Sequence, residues 1–155
     1  MQKSRTIKSA LAAGLMLLMA TSLMYGCAAP TVKLDDVLLQ RLTTERIEVG
    51  MILDLFNPND FGMPLETIDW GLRLFQSPFA NGIAKFGRQI PARQSSRVEV
   101  PLGVRFADVA SSVQQVVSSR TIPWNIGGTC NFRLPTGPLA IGYQNAGSWQ
   151  NPLYR

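Results

Sequence analysis

Between Arg46 and Leu55 the chain alternates with a period of two. Ile47, Val49, Met51, Leu53 and Leu55 hold one set of positions, and Arg46, Glu48, Gly50, Ile52 and Asp54 hold the other. A strand turns successive side chains to opposite faces, so this stretch reads as a long strand with one buried face. Asn57-Pro58-Asn59 ends it, because proline cannot donate to a ladder and the asparagines favour Asx-turns. Val32 and Leu34, then Val37 and Leu39, predict an earlier strand with a bulge at Asp35-Asp36. Ile68, Trp70, Leu72 and Leu74 alternate in the next strand. Gln76 to Asn81 is read as the connection, with Pro78 and Asn81-Gly82 as its turn chemistry, to a shorter strand, Ile83 to Ile90, closed by Pro91-Ala92. Val98, Val100, Leu102 and Val104 form another, whose Pro101 on the opposite face favours a sheet edge.

One segment breaks this rhythm. Phe106, Val109, Val113 and Val116 recur at helical spacing, which predicts a single helix over Phe106–Ser118. Its valines and serines are mediocre helix formers, so packing must hold it. Strand patterning returns with Trp124, Ile126, Gly128, Cys130, Phe132 and Leu134 on one face. Pro135-Thr136-Gly137-Pro138 marks a turn, and Leu139, Ile141 and Tyr143 alternate after it. From Asn145 the periodicity fades; Trp149 and Tyr154 there either pack loosely or mark a contact surface. About seven strands with one α-helix predict a mainly β protein, an antiparallel β-sandwich.

The N-terminus has a different character. Lys3, Arg5 and Lys8 precede an apolar run from Ala10 to Met24, short of the roughly 20 residues a spanning helix needs. The run ends in Leu23-Met24-Tyr25-Gly26-Cys27, which resembles the lipobox of bacterial lipoproteins. In that motif a small residue precedes a cysteine that is diacylated and becomes residue one. Met24 and Tyr25 depart from the usual leucine and small residue, and an ordinary signal peptide and an uncleaved anchor helix are the competing readings. The expected division is a signal peptide over 1–26, a lipidated cysteine and tether over 27–31, a domain over 32–144 and a tail over 145–155. By analogy with enterobacterial sorting, Ala28 after the cysteine points to the outer membrane, facing the periplasm.

Composition narrows the chemistry. The 155 residues suit one domain. Hydrophobic residues make up 46% and charged ones 16%, which excludes a disordered chain. The formal charge of +5 falls to +2 once the three cations of the signal segment are removed, too little to argue for nucleic acid. The chain has no histidine, which removes Ser-His-Asp, Cys-His and His-zinc sites. Its two cysteines, Cys27 and Cys130, are too few for a thiolate cage, and no metal or cofactor is called for. Cys130 is either a reactive thiol or a small buried hydrophobe; its apolar strand face favours burial. Asp35-Asp36 suits a solvated bulge better than a calcium loop, since no further acids follow at loop spacing. Glu66 and Asp69 are read as falling on opposite faces or in a turn, which argues against a catalytic pair.

Taken in order, several segments carry a family likeness. A hydrophobic strand closes in Asn57-Pro58-Asn59; Leu65, Ile68 and Leu72-Arg73-Leu74 follow; then come Asn81-Gly82, Ile83-Ala84-Lys85-Phe86-Gly87, Ile90-Pro91-Ala92 and Val98-Glu99-Val100-Pro101-Leu102. This series resembles the late-embryogenesis-abundant type 2 family, also known by its water-stress and hypersensitive-response (WHy) domain, from about Val32 to Gly142. Gln94 stands near where members often carry glycine. The resemblance implies a fibronectin type III-like sandwich without catalytic residues, and a small envelope protein tied to desiccation or stress tolerance. It makes Asn57, Pro58 and Asn59 the signature turn.

Three function classes follow. The first is a non-catalytic, lipid-anchored stress protein binding membrane or proteins. The second is a lipid-handling or envelope-assembly adaptor that holds an acyl chain or a partner's strand. A hydrolase using carboxylates alone comes a distant third. The expected partners are the membrane through the acyl chains of Cys27, with lipids or envelope proteins besides. Arg88, Arg93, Arg97 and Arg105 are candidates for contact with an anionic surface, but a solvated loop and strand face is the favoured reading, because Arg97 and Arg105 flank a strand rather than sharing one surface.

Overall fold

The computed structural model describes residues 27–109 and 113–154. The expected signal segment, 1–26, lies outside the described residues. Among these, seven strands form two antiparallel sheets. They are β1 (Thr31–Leu42), β2 (Arg46–Phe56), β3 (Met63–Leu74), β4 (Ser77–Ile90), β5 (Ser95–Arg105), β6 (Thr121–Leu134) and β7 (Gly137–Gln150). One sheet has the order β1-β2-β5 and the other β4-β3-β6-β7, the three-plus-four fibronectin type III arrangement.

The alternating strand Arg46–Phe56 lies at the centre of its sheet, between β1 and β5. Its apolar set, Ile47, Val49, Met51, Leu53 and Leu55, is at most 1% exposed. Val100 and Leu102 of β5 extend this buried face, and Ile68, Leu72, Ile126, Cys130 and Phe132 meet it from the other sheet. Each such large apolar side chain contributes about 1.5–3 kcal/mol on burial. The bulge expected in β1 is present, as a register shift between Leu34 and Asp36. Pro101 does sit on an edge strand, since β5 pairs with β2 alone.

Three features differ from the sequence reading. Asn81-Gly82 is not a turn but the middle of β4, with Gly82 opposite Trp70. A Cβ on Gly82 would stand 2.7 Å from Trp70 Cζ2, so glycine there makes room for an indole. The hairpin instead turns on Phe75-Gln76, with φ of 50° and 67°, the left-handed pair of a type I′ turn. The single helix over Phe106–Ser118 is not continuous. A 3-10 turn, Phe106–Asp108, gives way to extended backbone at Val109, and a short helix α1 follows over Val113–Ser118. With weak propensity throughout, burial decides: Phe106 packs edge-on against Phe79 (centroids 6.3 Å apart) and Val116 is fully buried. Finally, the stretch from Asn145 continues β7 to Gln150, pairing with β6 as far as Thr121. Its Trp149 is buried, stacks on Trp124 and donates from Nε1 to the Val37 carbonyl at 2.9 Å.

Candidate functional site

The Asn-Pro-Asn corner is a buried hydrogen-bond knot. Asn57 is fully buried at the end of β2. Its Nδ2 donates to the carbonyls of Phe61 (2.8 Å), Ile90 (3.1 Å) and Pro91 (3.2 Å). Its Oδ1 accepts from the Asn59 backbone N–H at 3.0 Å, an Asx-turn, and from Asn59 Nδ2 at 3.1 Å. The Asn57 N–H in turn donates to the Gln94 carbonyl and the Arg93 N–H to the Asn59 carbonyl, so the β2–β3 and β4–β5 connections are tied together. Gln94 thus keeps the local turn; the left-handed residue is its neighbour Arg93, with φ of 53°.

Asn59 carries the knot on to the N-terminal segment. Its Oδ1 accepts from the Ala28 N–H and its Nδ2 donates to the Ala28 carbonyl, both at 2.9 Å. The segment after Cys27 is therefore clamped at Ala28 by a two-point amide pair. Cys27 is half-buried beside Ala28, Pro58, Asn59, Asp60, Phe61 and Arg93, which surround a small cleft of about 140 Å³. Of the four candidate arginines, three reach this end. Arg93 is exposed in the β4–β5 turn, Arg88 lies two residues before the end of β4, and Arg97 lies two residues into β5. Arg97 is held by Asp35 at 3.0 Å. Arg105 sits at the far end of β5, roughly 26 Å away along the strand, paired with Asp108 at 3.1 Å.

The two carboxylates weighed as a catalytic pair, Glu66 and Asp69, are both engaged. A register shift between Leu65 and Thr67 offsets the alternation of β3. Glu66 and Asp69 consequently share the outer face, contrary to their assignment to opposite faces. Glu66 forms a fork with the Arg133 guanidinium, while Asp69 Oδ2 accepts from Thr129 Oγ1 and Asn131 Nδ2, each at 3.1 Å. Cys130 is fully buried, and burial, with the Asp69 charge adding, pushes its thiol up to about 12. Among the described residues no group of three His, Cys, Asp or Glu is placed to hold a metal ion.

One polar anchor escaped the sequence reading. Asn151 repeats the device of Asn57. Its Nδ2 donates to the carbonyls of Val116, Val117 and Ser119, closing the C-terminus of α1, and its Oδ1 accepts from the Leu153 N–H. The recurrence of Asn-Pro at Asn151-Pro152 was the available signal. Beside it, the adjoining edges of β1 and β7 leave an open groove of about 650 Å³, lined by Val37 to Leu42 and by Ser148 to Gln150 with Pro152.

A family model described as late embryogenesis abundant protein matches residues 53–143. Among solved structures, one described as a late embryogenesis abundant protein superposes with a TM-score of 0.68 at 18% identity, covering 97% of this chain and 86% of its own. An Arabidopsis thaliana protein superposes with a TM-score of 0.65 at 16% identity, over 84% and 87% of the two chains. A protein from Archaeoglobus fulgidus gives 0.59 at 7% identity, over 77% and 94%. At identities this low the superpositions show a shared fold alone. A search of curated proteins finds no match.

Proposed function

The chain belongs to the late embryogenesis abundant family, in its LEA_2 division, and from that membership we propose a non-catalytic, lipid-anchored envelope protein that protects membrane or proteins during water loss. The observation that carries this reading is the Asn59 clamp on Ala28. It gives the residue directly after the Gly26-Cys27 exit a specific seat on the folded domain, which is compatible with a mature chain starting at an acylated Cys27. Two or three acyl chains hold a protein on a bilayer where one does not. The sandwich then works beside the membrane, and Ala28 points to the outer one. Protection of this kind asks for surface and stability rather than a reaction centre. The engaged pair Glu66 and Asp69 and the buried Cys130 thiol fit that demand.

Intact-mass analysis of the protein extracted from membranes tests the anchor: it should begin at Cys27 and carry acyl mass. A free Ala28 N-terminus, or Met1 without acyl mass, removes the lipoprotein reading. A Cys27→Ala variant exported by an ordinary signal peptide should fold normally yet lose most protection of cells under drying. Full rescue by that soluble form would make anchoring incidental. The groove between β1 and β7 favours one second reading, an adaptor that receives an acyl chain or a partner's extended strand, because both flanking strands are sheet edges. Lipid recovered by solvent extraction from the purified soluble domain would favour the adaptor.

A further inference from the structure

We propose that the Asn57-Pro58-Asn59 end of the sandwich is its membrane-facing surface, and that the Asn59–Ala28 amide pair sets this pose by abolishing the free tether. The inference rests on acylation of Cys27 and goes beyond it, because an anchor alone fixes distance and not orientation. A linker of even six flexible residues spans roughly 13 Å and lets a domain tumble. Here Ala28 is bonded through both its N–H and its carbonyl to Asn59, and Asn59 to the buried Asn57. Acyl chains on Cys27 therefore leave the protein directly beside Pro58, Phe61 and Arg93.

The composition of that end suits a headgroup layer. Phe56, 41% exposed at the last position of β2, is one of four large hydrophobic residues more than a third exposed among the described residues. Phe61 is half-buried next to the cleft. Arg93 is exposed and occupies a left-handed backbone position, where a residue with a Cβ is strained and glycine would not be. An aromatic ring and a guanidinium together match the boundary between acyl chains and lipid phosphates. The surrounding charges nearly cancel: Lys33, Arg88 and Arg97 stand against Asp35, Asp54 and Asp60. Net attraction to anionic lipid is thus not what orients the domain; the clamp is.

The test places a tryptophan at each end of the acylated full chain. Phe56→Trp reports on the proposed contact surface. Thr44→Trp reports on the exposed β1–β2 turn, roughly 33 Å away along β2. Each is reconstituted in vesicles of phosphatidylethanolamine and phosphatidylglycerol with brominated acyl chains. Added emission is read as the difference from the unsubstituted protein, and acylation is checked by mass. The proposal expects quenching and a blue shift at position 56 and neither at 44, and loss of that contrast in Asn59→Ala. If Asn59→Ala does not fold, inserting Ala-Gly-Ser-Gly-Ser-Gly after Cys27, which leaves the domain untouched, should abolish the contrast instead. Equal quenching at the two ends, or contrast that survives the insertion, overturns the proposal while the lipoprotein reading stands. Absence of acyl mass overturns both.

Discussion

Asparagine is normally a surface residue, yet Asn57 and Asn151 are buried, and each uses its amide to satisfy carbonyls that no ladder reaches. An unpaired buried carbonyl costs about 1–3 kcal/mol, so these two side chains hold corners that apolar residues could not. Cys130 is the complementary case, a titratable group kept neutral by its surroundings. Below the thiol's ordinary value of 9.0 it is protonated whether the chain is folded or not. Above that value the unfolded chain loses the proton first, while the folded chain keeps it up to about 12. Stability should therefore fall as pH rises through that window, by up to about 1.4 kcal/mol per unit for this group. Burial pushes Tyr143 upward as well, with the charges of Cys130 and Asp69 adding, and steepens the decline. Urea melts across the window should show it, with a shallower slope in Cys130→Ala. The native thiol should also resist labelling until denaturant is added; rapid labelling at neutral pH would contradict the burial of β6.

At the scale of elements, hydrophobic alternation located all the strands, but their turns and breaks followed other rules. The β3–β4 hairpin turns on Phe75-Gln76, neither of which favours positive φ. Phe75 is kept there by packing against the core and by its N–H to the Pro123 carbonyl. Gln76 offers its carbonyl to Arg73, a bond any residue could provide. Gln76→Gly should accordingly relieve left-handed strain and stabilise the protein by about 1 kcal/mol. Thermal unfolding would register a rise of several degrees for a domain of this size; an unchanged or lowered midpoint would mean the turn is not strained. The helical segment is the opposite lesson. Its spacing of apolar residues was legible, but so weak a helix former breaks wherever tertiary contacts ask it to. Phe106 goes to Phe79, and Val116 goes beneath the C-terminal Asn151.

Over the whole molecule, two sheets are joined along one side where β1 meets β7. Trp149 is the bridge: its ring stacks on Trp124 at 5.5 Å and its Nε1 bonds the Val37 carbonyl of the opposite sheet. Trp149→Phe keeps most of the apolar contact and removes the donor. It should cost about 1–3 kcal/mol by leaving a buried carbonyl unpaired. Hydrogen exchange should quicken selectively in β1 and β7; uniform protection would show that the seam is held by packing alone. Period-two patterning along Arg46–Phe56 and its counterparts determined the strand set, the buried face of the clearly alternating strands such as β2 and β5, and the β-sandwich class, because alternation and burial are local and repetitive signals. The absence of histidine and the isolation of Cys130 within an apolar run likewise limited the chemistry before any fold was known. What remained for the tertiary structure was the meaning of single polar residues. Asn-Pro-Asn reads as a turn in any sequence. Only the fold brings Ile90 and Pro91 to Asn57, and Ala28 to Asn59 across 31 residues, because a hydrogen-bonding amide carries no address for its partner.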